Sequence, residues 1–506
     1  MKSRYELACD TGYIAAVMLS LMLCRALSAQ KSGPQIRVPL PEPPQVRSPF
    51  SLLAVTDPKT GKSAFSFDGR EIPPVIRVSP GQQIKLEFLN QMSSDSLETC
   101  VDGKCQNMTN LHFHGLHVSP NAPQDDVISM MAMPGESLKY TVDIPSNQPP
   151  GLYWYHTHPH GESYQQSLDG MSGAIVIDGI DRYLPALRSM KEEILILRDV
   201  ELQQDDAQSE SLKNSVQLSA SKCGAAVGDP SRIFTVNGVI RPRITIDPGE
   251  KQFWRIVNAS PDLYADLTVD NETLTVVAID GMPLAYHDPH RKTEQFTHFL
   301  LAPAGRLEAI VTGPAPGTSA SLRSLCVDTG KDGDPNPAMV LADLDSENRT
   351  DLNPTPWTAR LVPSVGKPVY QPLTHDTLKN VEAGIPQFVV KFTEDKQGFY
   401  INDKKYGPSD PPMTKVKIGS YVHWRVENKT DEIHPFHIHQ VHFLVFQQNG
   451  KPEGRPVWMD TVNVEPESSV DLVMDFTDPI IRGMSLFHCH LLKHEDKGMM
   501  AKIEFQ

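Results

Sequence analysis

The sequence has few or none of three features: long apolar runs, an excess of positive charge, and long amphipathic helical patterns. Beyond about the first 30 residues it has no apolar run long enough to cross a bilayer, so no membrane span is expected there. It is poor in positive charge, with 47 Lys and Arg against 62 Asp and Glu, and the formal charge of −15 argues against a nucleic-acid partner. It shows few long amphipathic patterns, whereas 43 Pro and 32 Gly favour many short strands separated by turns.

The N-terminus has the pattern of an export signal. Lys2 and Arg4 precede an apolar run from Tyr13 to Cys24, and small residues follow up to about residue 30. Glu6 and Asp10 interrupt the basic start, so an uncleaved anchor is the alternative to a cleaved signal peptide. We expect an exported protein, periplasmic or secreted, with no stable membrane span once residues 1–30 are removed.

The few cysteines agree with an oxidising compartment. Of seven cysteines, five lie beyond the signal, and Cys489 stands between two histidines. The other four form an even set that can make two disulfides, Cys100–Cys105 and Cys223–Cys326, and buried free thiols are the alternative.

Three segments carry alternating apolar and polar runs, which predict half-buried strands. Each segment contains a strand, a turn and a second strand that ends in Asn, at Asn90, Asn258 and Asn428. A spacing of this length indicates a repeat of whole domains, and three consecutive β-sandwiches are expected. The predicted boundaries are 47–180, 190–345 and 371–506, with a linker at 346–370.

Ten of the 18 histidines fall into four clusters. Three further histidines, His117, His160 and His442, lie close by but outside the spacing pattern. The clusters are His112-Phe-His114, His156-Thr-His158, His434-Pro-Phe-His437-Ile-His439, and His488-Cys489-His490 with His494 and Met499 after it.

The spacing within these clusters has a geometric meaning. Residues i and i+2 of a strand point to the same face, so each H-x-H pair presents two imidazoles together. In His488-Cys489-His490 the thiolate faces the opposite side from both histidines. A metal bound by Cys489 would therefore be linked through a few covalent bonds to metals bound by His488 and His490.

Cys489, His494 and Met499 lie close together in the sequence and suit a blue copper site of one thiolate, two imidazoles and a weak thioether. His434 is the best candidate for the second imidazole. The other eight histidines, in four H-x-H pairs, suffice for a group of three copper ions. Neutral imidazole suits copper, and no carboxylate cluster suggests a harder metal.

The segments LHFHGLHVSP, GLYWYHTHPHG, HPFHIHQVHFLV and HCHLLKHEDKGMM, in this order, resemble the copper motifs of the three-domain multicopper oxidases. This group includes laccases, bilirubin oxidases, spore-coat laccases and cuprous oxidases. The resemblance implies an all-β fold of three cupredoxin-like Greek-key domains, the middle one acting as a spacer. It also implies four copper ions, one type 1, one type 2 and two type 3.

By this resemblance the type 1 copper binds to His434, Cys489 and His494, with Met499 axial. The type 2 copper would bind to His112 and His437. The two type 3 coppers would take His114, His156 and His490, and His158, His439 and His488. His117 and His160 are expected to have structural or channel-lining roles.

The same resemblance implies oxidation of a donor one electron at a time, coupled to reduction of dioxygen to water. The partners are therefore dioxygen and a small-molecule or metal-ion electron donor. Glu495 and one of Asp125 and Asp126 resemble the acids that supply protons, and each could instead be a solvated carboxylate. Asp460 could orient a ligand histidine.

Three interpretations of the function remain, and two of them differ in the substrate. A laccase-like oxidase of phenols and aromatic amines is the first interpretation. A Cu(I) or Fe(II) oxidase is the second, although Met339 and Met413 are the only methionines between residues 334 and 415, where cuprous oxidases carry a Met-rich insert. Glu432 could bind a cation or orient a phenol, and the cluster Met130, Met131 and Met133 could serve Cu(I) or the apolar core. The third interpretation is a non-catalytic copper-binding or assembly protein.

Overall fold

The structure is a computed structural model that describes residues 38–93, 100–101, 104–105, 107–202, 207–219, 223–226, 230–345 and 373–506. The predicted signal and linker lie outside these residues. Strand is the main regular structure of the described chain, and it forms six sheets of four to seven strands and one two-stranded ladder. The sheets form three cupredoxin-type β-sandwiches in chain order, which confirms the predicted fold class.

The first sandwich encloses a core that includes Phe65, Phe88 and Tyr155. Burial alternates along Gln83–Gln91, as expected for a strand with one face in the core. Its strands, in spatial order, are Gln45–Val46, Val75–Val78, Ser172–Ile177, Gly151–His156 and His112–His114 in one sheet, and Ser63–Ser66, Phe50–Thr56, Gln83–Gln91 and Ser137–Asp143 in the other.

The second sandwich has its own core around Trp254. Its larger sheet is formed by Arg232–Val236, Lys191–Glu201, Lys251–Asn258, Arg306–Thr312, Leu274–Ile279 and Met282–Pro283, with Glu294–Phe296 also paired to Leu274–Ile279. Its smaller sheet is formed by Arg243–Thr245, Met339–Asp345, Ala320–Leu325, Ala265–Val269 and Phe299–Leu301.

The third sandwich encloses a core in which Cys489 and Met499 are both buried. One sheet is formed by Gly398–Ile401, Phe388–Asp395, Ser420–Asn428, Ser469–Phe476, Phe443–Gln448 and Lys451–Met459. The other is formed by Thr414–Val416, Met500–Phe505, Gly483–Cys489, His434–Ile438 and Thr461–Val464.

Helices are short, as the sequence predicts. In the described part of the chain the α-helices are Ser163–Leu168, Ala207–Ser215, His375–Ala383 and Leu492–Asp496, and the 3₁₀ turns are Ile180–Arg182, Pro185–Ser189 and Pro479–Ile481. Among these helices, none has the length and apolar character that a bilayer crossing requires.

The repeated asparagine has the same structural role in all three sandwiches. The Nδ2 of Asn90 donates to the carbonyls of Asn107 and Ala132 at 2.8 and 2.9 Å. Asn258 and Asn428 each make the corresponding pair of bonds where their own strands end. Because a buried carbonyl needs a donor, the residue at the strand end fixes the loop that follows it. The sequence repeat therefore corresponds to a repeated loop anchor.

The two predicted disulfides have different outcomes. Cys223 and Cys326 are bonded, with their Cα atoms 5.7 Å apart, which confirms that bridge. Cys100 and Cys105 lie opposite each other in the two-stranded ladder Cys100–Val101 and Lys104–Cys105. Their side chains lie outside the described residues, so their bridge stays a prediction.

Candidate metal centre

One group of side chains, which we call the cysteine site, is made of His434, Cys489, His494 and Met499. The Sγ of Cys489 lies 3.4 Å from His434 Nδ1, which in turn lies 3.4 Å from His494 Nδ1. The backbone N–H of Cys489 donates to the Met499 carbonyl at 3.1 Å, which keeps Met499 beside the cysteine. One thiolate and two imidazole nitrogens therefore converge within metal-binding distance of one another.

Neighbouring residues orient the two imidazoles of the cysteine site. Thr430 Oγ1 lies 2.8 Å from His434 Nε2, which leaves Nδ1 facing the thiol. Phe399 stacks on the His494 ring with centroids 3.8 Å apart. The other ring nitrogen of His494, Nε2, lies 3.3 Å from Glu432 Oε1. His494 is 8% exposed, whereas His434 and Cys489 are 0% exposed, so His494 is the edge of the site nearest solvent.

The second group, which we call the histidine cluster, is built by two sandwiches. In the first, His112 and His156 are opposite each other on paired strands. In the third, His437 is opposite His488. Rings from the two sandwiches stack on each other: the centroids of His112 and His439 are 3.8 Å apart, and those of His114 and His437 are 3.9 Å apart. The members are His112, His114, His156, His158, His437, His439, His488 and His490, all at most 2% exposed.

The strand alternation expected from the H-x-H spacing is present. Phe113, between His112 and His114, points into the core of the first sandwich and packs on Tyr140 at 5.4 Å. Cys489 points into the core of the third sandwich, whereas His488 and His490 on either side join the histidine cluster. The two candidate metal sites are therefore joined by three consecutive residues at the end of one strand.

The ring nitrogens of the cluster fit a bound metal. His156 and His437 use Nδ1 to contact backbone oxygens at 2.9 and 2.8 Å, and their Nε2 atoms are buried without a hydrogen-bond partner. The Nε2 of His112, the Nδ1 of His114 and both ring nitrogens of His490 are buried in the same way. Buried polar atoms are rarely left unpaired. Metal ions at the centre of the cluster would satisfy one nitrogen of each of these rings, and in His156 and His437 the other nitrogen is already held by the protein.

Burial also sets the protonation state that metal binding needs. It lowers the pKa of His156 and of His434 to about 3. It lowers the pKa of His490 and His439 well below the usual value, and neighbouring histidines act in the same direction. These imidazoles are therefore neutral at pH 7, which is the form that binds a metal. Burial raises the pKa of the Cys489 thiol, so its ionisation depends on a bound cation.

Two acids of the predicted set contact the cluster. Glu495 Oε2 lies 3.0 Å from His488 Nδ1, and Oε1 lies 3.5 Å from His158 Nε2. Burial alone would raise the pKa of Glu495, but the adjacent His158 and His488 lower it. Asp125 lies 3.0 Å from His112 Nδ1 and accepts from Gln440 at 2.7 Å. Burial raises the pKa of Asp125 to about 8.

The side chains of the adjacent residues Asp125 and Asp126 make different contacts. The Asp126 carboxylate accepts from the backbone N–H groups of Ile128 and Ser129 at 3.1 and 2.9 Å. It therefore stabilises the turn that follows. Between the two aspartates, the geometry places Asp125 at the histidine cluster.

The remaining predicted polar residues take several positions. His117 Nε2 lies 3.5 Å from Asp478, and the His160 ring packs against Tyr406 at 4.7 Å. Asp460 contacts His114 Nε2 at 3.2 Å. Met130 packs against the core of the first sandwich, in agreement with the apolar interpretation of that methionine.

Sequence reasoning missed three residues that contact this region. Thr430 holds His434, Gln440 joins Asp125 to the third sandwich, and Arg306 pairs with Asp460. The first two lie within four residues of a predicted ligand, and that proximity was a usable signal. Arg306 lies in the second sandwich, 154 residues from its partner, and no local pattern indicates the pair.

Comparison with known proteins agrees with this geometry. Three family models, each described as Multicopper oxidase, match residues 53–181, 203–319 and 371–505. The chain is 24% identical over 452 residues to multicopper oxidase mco of Staphylococcus haemolyticus, covering 87% of this chain and 84% of that protein. It is 25% identical over 494 residues to a laccase of Bacillus subtilis, and the match covers 87% of this chain and 90% of the laccase.

Solved structures share the fold. The structure of a multicopper oxidase from Campylobacter jejuni, described as a metallo-oxidase, superposes with a TM-score of 0.65. It is 23% identical in sequence, and the match covers 93% of this chain and 94% of that one. At this identity the likeness concerns the fold alone.

Proposed function

The chain belongs to the multicopper oxidase family, and from that premise we propose that it oxidises phenols or aromatic amines one electron at a time while it reduces dioxygen to water. Membership of the family makes it a copper-dependent oxidoreductase with dioxygen as acceptor. The proposal is carried by the consecutive residues His488, Cys489 and His490, whose cysteine faces one candidate site and whose histidines face the other.

We assign four copper ions to these residues. His434, Cys489 and His494 would hold the type 1 copper, with Met499 as a further ligand. His112 and His437 would hold the type 2 copper. The type 3 pair would be held by His114, His156 and His490, and by His158, His439 and His488. When bound, copper would supply one-electron transfer at the first site and the reduction of dioxygen at the second.

The protein's own residues provide access, insulation and protons. His494 is the ligand nearest solvent, so a donor would deliver its electrons at this imidazole edge. The cluster is buried between two sandwiches, which keeps bulk water away from oxygen reduction. Glu495 and Asp125, each in contact with a cluster histidine, would accept protons and pass them to the cluster. We expect Glu495→Gln to slow oxygen reduction by about 10²–10⁴-fold with copper content unchanged.

A second candidate function, oxidation of Fe(II) or Cu(I), is favoured by Glu432. Its carboxyl group lies 3.3 Å from His494 Nε2 and is 6% exposed. Burial and the adjacent Glu394 raise the pKa of Glu432 to about 9. Two adjacent carboxyl groups repel each other when both are ionised, and a bound cation would offset that repulsion.

Oxygen uptake by copper-loaded protein separates the candidates. A phenol, Fe(II) and Cu(I) are compared in wild type, in Glu432→Gln and in the control Glu427→Gln, which changes a half-buried carboxylate paired with Lys429. The first proposal expects uptake with the phenol and a modest change in its KM in Glu432→Gln. Uptake confined to the metal ions, with KM raised only in Glu432→Gln, would support the metal oxidase. Copper binding without uptake from any donor would contradict both and support the non-catalytic interpretation.

The predicted location of the protein stays an expectation. Cys223–Cys326 is consistent with folding in an oxidising compartment. We propose that the protein is exported, and sequencing the N-terminus of the purified native protein would test whether residues 1–30 are removed.

A further inference from the structure

A buried ion pair connects the second sandwich to the third beside the histidine cluster. Arg306 begins the strand Arg306–Thr312, and Asp460 immediately precedes the strand Thr461–Val464. Arg306 Nη1 donates to Asp460 Oδ1 at 2.7 Å, and Nη2 donates to Oδ2. Both side chains are fully buried. Two parallel bonds between a guanidinium and a carboxylate fix the orientation of both groups.

Other contacts hold the pair in place. Arg306 Nη1 also donates to the Ala304 carbonyl, and Nη2 donates to the Asp280 carbonyl, both at 3.0 Å. The Asp280 carboxylate accepts from the Arg306 backbone at 2.8 Å and from the Asp460 backbone at 3.2 Å. A side chain at Gly115, where φ is +80°, would collide with both members of the pair. Each of the three sandwiches therefore contributes to a rigid arrangement around one carboxylate.

Asp460 acts on two histidines of the cluster. Its Oδ1 atom lies 3.2 Å from His114 Nε2, and its backbone carbonyl lies 2.8 Å from His437 Nδ1. A carboxylate can only accept, so the His114 proton is placed on Nε2 and the lone pair on Nδ1. His156 and His437 present the opposite nitrogen, because their Nδ1 atoms contact backbone oxygens. Asp460 therefore decides which nitrogen His114 offers.

This inference rests on the proposed copper sites. We propose that Arg306 is a positioning residue for the histidine cluster: it holds the Asp460 carboxylate so that His114 presents Nδ1 and His437 presents Nε2 to copper. The guanidinium also compensates a negative charge that would otherwise be buried alone at high cost. The second sandwich, expected to be a spacer, thus controls the geometry of ligands that belong to the other two.

The test uses full-length protein in which Arg306 is replaced by Met or by Lys. Arg241→Met is the matched control, because Arg241 makes a similar two-bond pair with Asp343, at 2.9 and 3.0 Å, inside the second sandwich. Copper-free protein is titrated with copper. The blue thiolate-to-copper absorption reports the cysteine site, and the type 2 electron paramagnetic resonance signal reports the cluster. Thermal unfolding is recorded for every variant.

We expect Arg306→Met to retain the blue absorption while copper affinity at the cluster falls by about 10–100-fold. Arg306→Lys should recover part of that affinity, because it keeps the charge but loses the two-bond geometry. Arg241→Met should lower the unfolding temperature and leave both spectra unchanged. Cluster loading by Arg306→Met with wild-type affinity and spectrum would overturn the inference.

A second variant keeps the test decisive if Arg306→Met does not fold. Asp460→Asn has nearly the same shape, and its amide can donate towards His114. We expect a loss of copper affinity confined to the cluster in Asp460→Asn, and a smaller loss, also confined to the cluster, in Arg306→Lys. Equal weakening of both copper sites in these two variants would overturn it. Failure of the wild type to load more than one copper would instead contradict the proposed function itself.

Discussion

The cysteine site and the histidine cluster differ in how the chain builds them. All members of the cysteine site come from the third sandwich, between residues 434 and 499. His434 and Cys489 lie on neighbouring strands, and His494 follows in a short helix. The histidine cluster combines two strands of the first sandwich with two of the third. The first site therefore depends on one fold unit, and the second depends on how two units are packed together.

Substitutions in different places should therefore disrupt the two sites. A change at the interface should affect the cluster and spare the cysteine site, because all four proposed ligands of the cysteine site lie in the third sandwich. The strand Gly483–Cys489 and the residue after it belong to both sites. A change at Cys489 should therefore remove one site and disconnect the other.

The largest effect is expected from Cys489→Ser. Serine keeps the shape but cannot replace the thiolate as a soft copper ligand. The variant should lose the blue absorption, and oxygen uptake should fall to background while the cluster still binds copper. Copper analysis, visible absorption and oxygen uptake measure these three properties. Retained blue colour would show that the assignment of Cys489 is incorrect.

The next effect concerns the two adjacent aspartates. Asp125→Asn should slow oxygen reduction by about 10–100-fold without changing the blue absorption, because Asp125 contacts His112 in the cluster. Asp126→Asn should only weaken a turn, at a cost of about 1 kcal/mol in unfolding free energy. Steady-state oxygen uptake and denaturant unfolding are compared. Equal loss of activity in both variants would contradict the separation of their roles.

Copper removal should show that the cluster joins two sandwiches. Free copper at a concentration about 1,000 times its dissociation constant stabilises the folded state by about 4 kcal/mol. Copper-free protein should therefore unfold at a lower temperature. Cys489→Ser should keep most of this copper-dependent stabilisation. Calorimetry with and without copper measures it. Its complete loss in Cys489→Ser would mean that the cysteine site, and not the interface, is what copper stabilises.

The smallest effect is expected from Thr430→Val, which removes the contact with His434 Nε2. The loss of one hydrogen bond should cost about 1 kcal/mol in unfolding free energy. The blue absorption should shift slightly because the His434 ring is less constrained, and the type 2 resonance should not change. A change confined to the type 2 signal would contradict the independence of the two sites.

Much of the site could be predicted from sequence because the face on which each side chain lies depends only on residues next to it in the chain. The period-two alternation of a strand places His112 and His114 on one face with Phe113 on the other, and the structure shows this arrangement. The same rule separates Cys489 from its flanking histidines. The repeated asparagines indicated three related units, because each anchors the same kind of loop.

Other features could be decided only by tertiary structure. Asp125 and Asp126 are identical side chains at adjacent positions, and only the packed loop shows which of them reaches His112. The ring nitrogen that each histidine presents depends on contacts such as Asp460 with His114, which lie 346 residues apart. The types of the proposed ligands and the strand faces they occupy could be predicted from the sequence, since they follow from local backbone geometry. The packing of the three sandwiches decided the orientation and protonation of those ligands, because hydrogen bonds and burial depend on atoms that are distant along the chain.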